Sequence, residues 1–318
     1  MGKIMTVNGW KKPEELGFCQ CHEHLMIRKG TSCKINNALC IDDFSKSKRE
    51  VLRFKEKGGQ TIIDAQPCGC SRMASALSLI AEQTGVNIIA STGFHKLIFY
   101  RDDHWIHFLR EDQLTEIFIS EIEQGMFENL DDGMDSQQIS ARAGMIKSAL
   151  DKENLSNRYE KLFYSVCAAS KETNVPIMVH IEPGSDPLLL LTYILRQGVK
   201  PQKIIFCHMD RAESDLEIHK NLLAQGIFLE YDTIGRFKYH SDLEEAYIFK
   251  EMLDAGFEDQ ILFSLDTTRE RLRTYNPYAA GLDYILSSFL PVMRDIGIPL
   301  RQIKKISHSN PVRVLECG

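Results

Sequence analysis

The stretch Gly17-Phe18-Cys19-Gln20-Cys21-His22-Glu23-His24-Leu25 decides the fold, because it is the first of eight short apolar runs that alternate with amphipathic segments. Successive side chains of an extended strand point to opposite faces, so Gln20, His22 and His24 share one face. The same alternation predicts that Cys19 and Cys21 face the helices as buried free thiols. Two imidazoles at this spacing can hold one divalent cation. They can equally form a polar cluster, so the choice between a metal site and a polar cluster depends on the residues at the ends of the later strands.

Seven further runs rich in Val, Ile and Leu follow at residues 61–65, 87–93, 143–147, 175–180, 203–208, 226–232 and 260–266. Their alternation with helical segments predicts an α/β protein with a parallel sheet, and eight such units predict a closed (β/α)8 TIM barrel. We expect a single domain over residues 1–318, with the active site at the C-terminal ends of the strands. The alternative is an open doubly wound sheet. That fold favours a glycine-rich phosphate loop after the first strand, where this chain has His-Glu-His.

The composition describes an ordinary globular protein and argues against several functional classes. The net charge of −6 disfavours a nucleic-acid binder, which depends on positive potential. No apolar run reaches the roughly 20 residues that span a bilayer, and the first residues lack the apolar core of a secretory signal. Nine cysteines, without the spacing of a secreted disulfide framework, fit reduced thiols. We therefore expect a cytoplasmic protein without nucleic-acid or membrane partners.

Polar residues stand at the C-terminal ends of five predicted strands, which a barrel gathers at one mouth. They are His22, His24, Lys147, His180, His208 and Asp266. Neutral imidazole and carboxylate suit zinc and its neighbours in the first transition row. An ammonium group is repelled by cations, but a neutral lysine amine can add carbon dioxide and become a carbamate, which offers one oxygen to each of two metals. The set therefore predicts a binuclear metal site with a bridging hydroxide and a carbamate on Lys147.

The motifs around these residues resemble the phosphotriesterase-like branch of the amidohydrolase superfamily. They are Cys-His-Glu-His-Leu at 21–25, Gly-Gly-Gln-Thr-Ile-Ile-Asp at 58–64, Ala-Gly-Met-Ile-Lys at 143–147, Val-His at 179–180, Cys-His-Met-Asp-Arg at 207–211, Leu-Asp at 265–266 and Asn-Pro at 310–311. The resemblance covers nearly the whole chain. The combined set of motifs is far more specific than His-x-His alone.

The resemblance implies two divalent metal ions, zinc in the first place, with manganese, cobalt or iron as alternatives. The implied ligands are His22, His24 and Asp266 for the buried ion, His180 and His208 for the exposed ion, and carbamylated Lys147 for both. Asp266 would be the catalytic residue that contacts the hydroxide and carries the proton to the leaving group. Asp210, two residues past His208, is the candidate partner that orients this ligand. A homodimer is implied by the family alone.

Cationic residues follow the seventh and eighth predicted strands, in the loops 233–238 and 267–275. Arg236 and Lys238 share one side if the first loop is extended, and Arg269 follows the eighth strand by three residues. Arginine forks suit carboxylate and phosphate oxygens, which predicts an anionic small-molecule substrate. The predicted substrate contacts are Arg236, Lys238, Arg269 and Tyr275. Alternatively, these are solvated loop charges, some of them paired with Glu270 or Asp232.

Family members that open phosphorylated sugar lactones have cationic residues in these loops, so the resemblance favours a lactonase acting on a phosphorylated furanose lactone. The alternative enzyme is an organophosphate or general carboxylester hydrolase, although organophosphate enzymes line their pockets with apolar side chains. A non-catalytic barrel scaffold is a third hypothesis, and the complete ligand set counts against it. Each ligand taken singly has a structural explanation, as a buried histidine, a surface lysine or a helix-capping aspartate. The aromatic segment 94–107, with His95 and Lys96, borders the pocket or forms a packing or oligomer surface.

Overall fold

A parallel eight-stranded sheet forms the centre of the molecule, in a computed structural model that describes residues 2–131 and 133–317. The strands are β1 (Ile4–Thr6) and β2 (Gly9–Lys11) of an N-terminal hairpin, then β3 (Phe18–Glu23), β4 (Gly59–Asp64), β5 (Asn87–Gly93), β6 (Ala143–Leu150), β7 (Ile177–Ile181), β8 (Ile204–Cys207), β9 (Phe228–Tyr231) and β10 (Ile261–Phe263) of the sheet. Each strand of the sheet pairs in parallel with the next one in the chain. The last strand returns to the first, since the Asp266 amide donates to the His22 carbonyl oxygen at 3.0 Å. The predicted (β/α)8 barrel is therefore confirmed.

Helices alternate with the strands and cover the outside of the barrel. They are α1 (Thr31–Ile35), α2 (Phe44–Glu56), α3 (Ala74–Thr84), α4 (Glu111–Glu123), α5 (Asn157–Thr173), α6 (Pro187–Arg196), α7 (Met209–Ala212), α8 (Leu216–Ala224), α9 (Asp242–Asp254), α10 (Leu290–Asp295), α11 (Leu300–Lys304) and α12 (Asn310–Leu315), with π-helical turns at Ile285–Phe289 and Lys305–Ser309. Short 3₁₀ turns lie at Pro13–Glu15, Asn37–Leu39, Leu97–Phe99, Trp105–His107, Pro201–Lys203 and Arg269–Arg271. The helix predicted over 213–224 begins only at Leu216, because the Asp215 carboxylate caps it by accepting from the Glu217 amide at 2.9 Å. Of the described helices, none is long and apolar enough to cross a bilayer.

Both ends of the described chain close the mouth of the barrel that lies opposite the C-terminal strand ends. The Val7 amide, just after β1, donates to the Ile88 carbonyl oxygen near the start of β5 at 2.9 Å. The apolar side chains that pack beneath the barrel interior are Ile4, Leu16, Val314 and Leu315. The sequence predicts no hairpin and only a tail after residue 294, because such short elements carry little periodic signal. That tail contains α11 and α12.

The barrel interior changes from apolar to polar along the strands. The side chains of its apolar layer include Cys19, Ile63, Ile89, Met145, Met178, Ile205, Phe228 and Leu262. Two residues further along β6 and β7, the inward position changes from Met145 and Met178 to Lys147 and His180. Because the C-terminal ends of the strands meet at one mouth, polar side chains converge above a packed apolar layer.

The strict alternation predicted for the first strand is wrong for its cysteines. Cys19 and Cys21 lie in the inner apolar cluster rather than against the helices. The pairing of β3 with β4 shifts its register between Gln20 and Glu23, so that Cys21 and His22 both point inward. An irregularity of this kind re-aims one side chain within a strand, and a pattern of period two does not reveal it.

One buried carboxylate holds the seam between the first and last strands of the barrel. Glu23 is fully buried, and its Oε1 accepts from the Leu265 amide at 2.9 Å and lies 2.7 Å from Ser264 Oγ. Its Oε2 accepts from the amide and the hydroxyl of Thr267 at 3.1 and 2.6 Å. These donors flank Asp266 in the sequence. Glu23 therefore fixes the strand end that carries Asp266.

Replacing this carboxylate with an amide will destabilise the protein. In a Glu23→Gln variant, one carboxylate oxygen becomes an NH₂ group that faces buried N–H and O–H donors, so at least one donor loses its acceptor. We expect the free energy of unfolding to fall by about 2 kcal/mol, measured by urea denaturation. The matched control is Glu251→Gln, which removes an exposed ion pair with Lys220 and should change stability by less than about 0.5 kcal/mol. Equal stabilities for the two variants would refute the role given to Glu23.

Candidate metal centre

A cavity of about 160 Å³ opens at the C-terminal ends of the strands. Its wall includes five of the six predicted metal ligands, namely His22, His24, His180, His208 and Asp266. The sixth, Lys147, is fully buried, with its Nζ 3.1 Å from His22 Nε2. The fold thus brings together all six residues that the sequence predicts as ligands.

The distances among these side chains suit a shared cation. Asp266 Oδ1 lies 3.4 Å from His24 Nε2 and 3.9 Å from His22 Nε2. One ligand atom from each of these three residues lies within 4.8 Å of the other two. The His208 ring centroid is 4.8 Å from that of His22 and 4.4 Å from that of His180. Imidazole nitrogens and a carboxylate at this spacing can hold divalent cations of the zinc type.

Two of the candidate ligands stand on strained backbone. His208 and Asp266 have φ values of 64° and 48°, in the left-handed region that non-glycine residues rarely occupy. Hydrogen bonds maintain both conformations, since the His208 amide donates to Asp232 Oδ2 at 3.1 Å and the Asp266 amide donates to the His22 carbonyl. Strain of this kind collects at functional sites, where the surrounding structure compensates for it.

Three carboxylates hold the imidazole rings from behind. The pairs are His22 Nδ1 with Glu230 Oε2 at 3.1 Å, His208 Nδ1 with Asp232 Oδ1 at 2.7 Å, and His180 Nε2 with Glu182 Oε2 at 2.9 Å. Such a partner fixes the tautomer and the orientation of a ring and leaves the other nitrogen free for a metal. None of the three is among the predicted site residues. Their spacing of two residues, Glu182 after His180 and Asp232 after Glu230, was a usable sequence signal.

The predicted partner of His208 acts on it only indirectly. Asp210 Oδ2 accepts from the amides of Asp232 and Thr233 at 2.8 and 2.6 Å and from the Thr233 hydroxyl at 2.6 Å. Asp232, which Asp210 holds in this way, contacts the His208 ring. Asp210 therefore supports the predicted ligand His208 through Asp232. The left-handed conformation of His208 ends the strand alternation on which the expectation rested.

Burial keeps three of the four candidate histidine ligands neutral. Desolvation lowers the pKa of His22 and His208 well below the usual value, and it lowers the pKa of His180 to about 4 although the hydrogen bond that His180 donates to Glu182 opposes this shift. A metal binds the neutral imidazole, so protonation competes with metal binding. The three rings are therefore in the ligating form at neutral pH.

Lys147 fits a carbamate better than an ammonium group. It is fully buried, and it forms no ion pair with any carboxylate in residues 2–131 and 133–317. An unpaired buried charge costs several kcal/mol. A carbamate would replace this positive charge with an anionic oxygen donor beside His22. The donor set therefore fits a pair of divalent cations bridged by the modified lysine.

Three cationic side chains line the same cavity. Arg236 Nη2 lies 2.9 Å and Arg211 Nη2 lies 3.4 Å from Asp266 Oδ2, and Lys96 forms part of the wall. Burial alone would raise the pKa of Asp266, but Arg236, with His24 and Arg211, holds it well below its usual range. The cavity is therefore cationic, although the chain carries a net charge of −6.

Among the predicted substrate contacts, Arg236 lines the cavity but Lys238 does not. The loop is not extended, because the Arg236 amide donates to the Thr233 carbonyl oxygen at 2.8 Å and closes a turn. Arg236 and Lys238 consequently do not share one side. Lys238 is exposed, and its Nζ stands 4.7 Å from the ring centroid of Tyr239.

Arg269 and Tyr275 lie beside the cavity rather than in its wall. The Arg269 guanidinium stands 5.1 Å from the Tyr275 ring centroid, and the Tyr275 hydroxyl accepts from the Asp43 amide at 3.1 Å. Arg211 and Lys96 line the wall but are not among the predicted contacts. Arg211 could have been found from its place one helical turn after a predicted ligand. Only the folded conformation of the segment 94–107 shows that Lys96 lies in the cavity wall.

The chain matches the family model described as the phosphotriesterase family over residues 2–315. The phospho-furanose lactonase of Mycoplasmopsis synoviae is 28% identical over 319 residues, which cover 98% of this chain and 90% of the relative. The N-acetyltaurine hydrolase of Danio rerio is 26% identical over an alignment of 360 residues, which covers 99% of this chain and 98% of the relative. A solved lactonase from Listeria monocytogenes superposes with a TM-score of 0.90 at 27% identity and 99% coverage of each chain. The chain therefore belongs to the phosphotriesterase family.

Proposed function

We propose that this protein is a binuclear metal-dependent hydrolase that opens a phosphorylated furanose lactone. The observation that carries the proposal is the convergence of six ligand-type side chains at one cavity with a cationic wall, five of them lining it and Lys147 buried against His22. Membership of the phosphotriesterase family supports the assignment of this protein as a hydrolase. Relatives named as lactonases in two bacterial genera support the substrate class.

The residues present fit two divalent ions, zinc in the first place and manganese, cobalt or iron as alternatives. The proposed ligands are His22, His24 and Asp266 for one ion, His180 and His208 for the other, and carbamylated Lys147 for both. Ions bound there supply a hydroxide at neutral pH and polarise the lactone carbonyl. The carboxylates behind the rings hold the ligands in place before the substrate arrives.

Asp266 is the proposed proton carrier. Its Oδ1 faces His24 and its Oδ2 faces Arg211 and Arg236, so the carboxylate touches both the metal ligands and the cationic wall. Because its pKa is held low, Asp266 is ionised and can accept the proton of the attacking nucleophile. It then passes this proton to the ring oxygen as the acyl–oxygen bond breaks. The products are one carboxylate and one free hydroxyl group.

The cationic wall selects an anionic substrate in this proposal. Arg236 has a side chain only 10% exposed and Lys96 only 18%, so water screens both charges weakly. Guanidinium forks match the oxygens of a phosphate group. An N-acyl amide with a negatively charged tail would suit the same wall, and the fish relative is named for such a substrate.

Loss of Lys147 will remove metal and activity together. A Lys147→Ala variant should retain metal more weakly by more than the roughly 10- to 100-fold typical of outer-shell changes, since it removes a direct ligand of both ions. Metal content after dialysis and lactone hydrolysis measure the two effects, and added short carboxylic acids should restore part of the activity. The control is Lys152→Ala, which removes an exposed lysine just after β6 and should change neither quantity. Full metal content and activity in Lys147→Ala without added carboxylate would refute the carbamate bridge.

A pair of lactones tests the substrate class. Metal-reconstituted protein should hydrolyse a furanose 1,4-lactone with a 5-phosphate about 10³-fold faster, in kcat/KM, than the same lactone without phosphate, because only the phosphate can form charge-assisted contacts with the buried cations of the wall. Equal rates on both lactones would overturn the phosphate preference. Hydrolysis of N-acyl amides in place of lactones would favour an amidase.

Two cationic residues of one loop, one in the cavity wall and one outside it, test which cation contacts the phosphate. An Arg236→Met variant should lower the preference for the phosphorylated lactone by about 10- to 100-fold, which corresponds to one charge-assisted contact of about 1.5–3 kcal/mol. Lys238→Met is the matched control, and it should change this ratio less than about twofold because its ammonium group is exposed outside the wall. The ratio of the two substrates is the readout, since Arg236 also contacts Asp266 and its loss can lower kcat on both. Equal losses on both substrates would contradict a phosphate contact.

A further inference from the structure

A second cluster of metal-ligand side chains lies outside the cavity, between α7 and α9. Asp210 on α7, His240 just before α9 and Glu245 on α9 each offer one ligand atom, and the three atoms lie within 4.8 Å of one another. Asp210 and Glu245 are only 6% and 1% exposed. The His240 side chain is 17% exposed, so the cluster reaches solvent along one imidazole. None of these residues lines the catalytic cavity.

The hydrogen-bond donors of the cluster do not suffice for its acceptors. The Thr233 hydroxyl and two backbone amides all donate to Asp210 Oδ2. His240 Nε2 lies 2.7 Å from Glu245 Oε2 and 2.8 Å from Thr233 Oγ1. Asp210 Oδ1 and Glu245 Oε1 are then buried without a hydrogen-bond partner in the described part of the chain. Buried carboxylate oxygens are rarely left in this state, because desolvation without compensation is costly.

No lysine or arginine in the described part of the chain forms an ion pair with either carboxylate. In residues 2–131 and 133–317, the only ion pair of Glu245 is with His240, and Asp210 forms none. Two like charges in a buried space repel each other strongly. A positive species beside them would balance these charges, and the candidates are a metal ion, a proton shared by the carboxyls and a protonated His240.

We propose that Asp210 Oδ1, the Glu245 carboxylate and His240 Nε2 bind a third divalent cation, separate from the catalytic pair. Two carboxylates and one imidazole are a ligand set that suits zinc, with a water molecule completing the tetrahedron on the solvent side. Binding requires His240 to release its hydrogen bond to Glu245 and to present the same nitrogen to the metal.

The proposed ion stabilises the strand end that orients a catalytic ligand. Asp210 holds the amides of Asp232 and Thr233, and Asp232 holds the His208 ring. A cation between Asp210 and Glu245 would tie α9 to this chain of contacts. Its role is structural, because it reaches neither the cavity nor the reacting atoms.

Metal counting and anomalous scattering test this site. The full-length protein is saturated with zinc, freed of loosely bound metal by gel filtration and analysed by plasma mass spectrometry. We expect Glu245→Gln to bind one zinc equivalent fewer than wild type. Crystals of the zinc-loaded wild type should show an anomalous peak among Asp210, His240 and Glu245, and crystals of the variant should not.

The controls separate this site from the catalytic centre. Glu251→Gln, an exposed position on the same helix, should keep the full zinc count. If Glu245→Gln fails to fold, His240→Gln tests the same site from a partly exposed position, and it should also bind one zinc equivalent fewer than wild type. An unchanged zinc count in both ligand variants, without an anomalous peak in wild type, would overturn the proposal and leave a proton, shared by the two carboxyls or held by His240, as the balancing charge. The readout is a difference of one equivalent, so it does not depend on how many ions the catalytic centre holds.

Discussion

Closure of the barrel by Glu23 is the contact on which the site depends. The first strand carries His22 and His24, the last carries Asp266, and these side chains meet only if the two strands join. Glu23 makes that junction by accepting hydrogen bonds from the residues on either side of Asp266. A carboxylate suits this place because each of its oxygens accepts more than one buried donor. The geometry of the candidate metal centre therefore depends on the hydrogen bonds of Glu23, a residue outside the predicted ligand set.

Carboxylates behind three of its imidazole rings hold the polar centre in place above an apolar layer. Each of three imidazole rings is hydrogen-bonded to a carboxylate, so the rings are oriented before a metal binds. Asp210 extends this support by accepting from the Asp232 amide, and the Thr233 hydroxyl donates to Asp210 in turn. The site thus combines side chains on rigid strands with loops that are anchored from behind. Such preorganisation is what a hydrolytic centre requires.

The distribution of charge gives the cavity its character. The chain is acidic overall, yet Lys96, Arg211 and Arg236 surround the candidate metal ligands. Arg236, together with His24 and Arg211, holds the pKa of Asp266 well below its usual range and keeps this carboxylate ionised. The barrel itself does not select a substrate, since the same fold serves many reactions. The proposed function places this selection in the loops after β5, β8 and β9, where these three cations stand.

The sequence alone determined the barrel and its candidate metal ligands, because strand periodicity and ligand-type residues are local properties that survive without tertiary information. It could not determine which loop cations face the cavity, since the turn at Arg236 separates that side chain from Lys238. Nor could it pair His22 with Glu230, which are 208 residues apart. The inward position of Cys21 depends on a register shift against β4. Only the tertiary structure decided these features, because each arises where distant segments constrain one another.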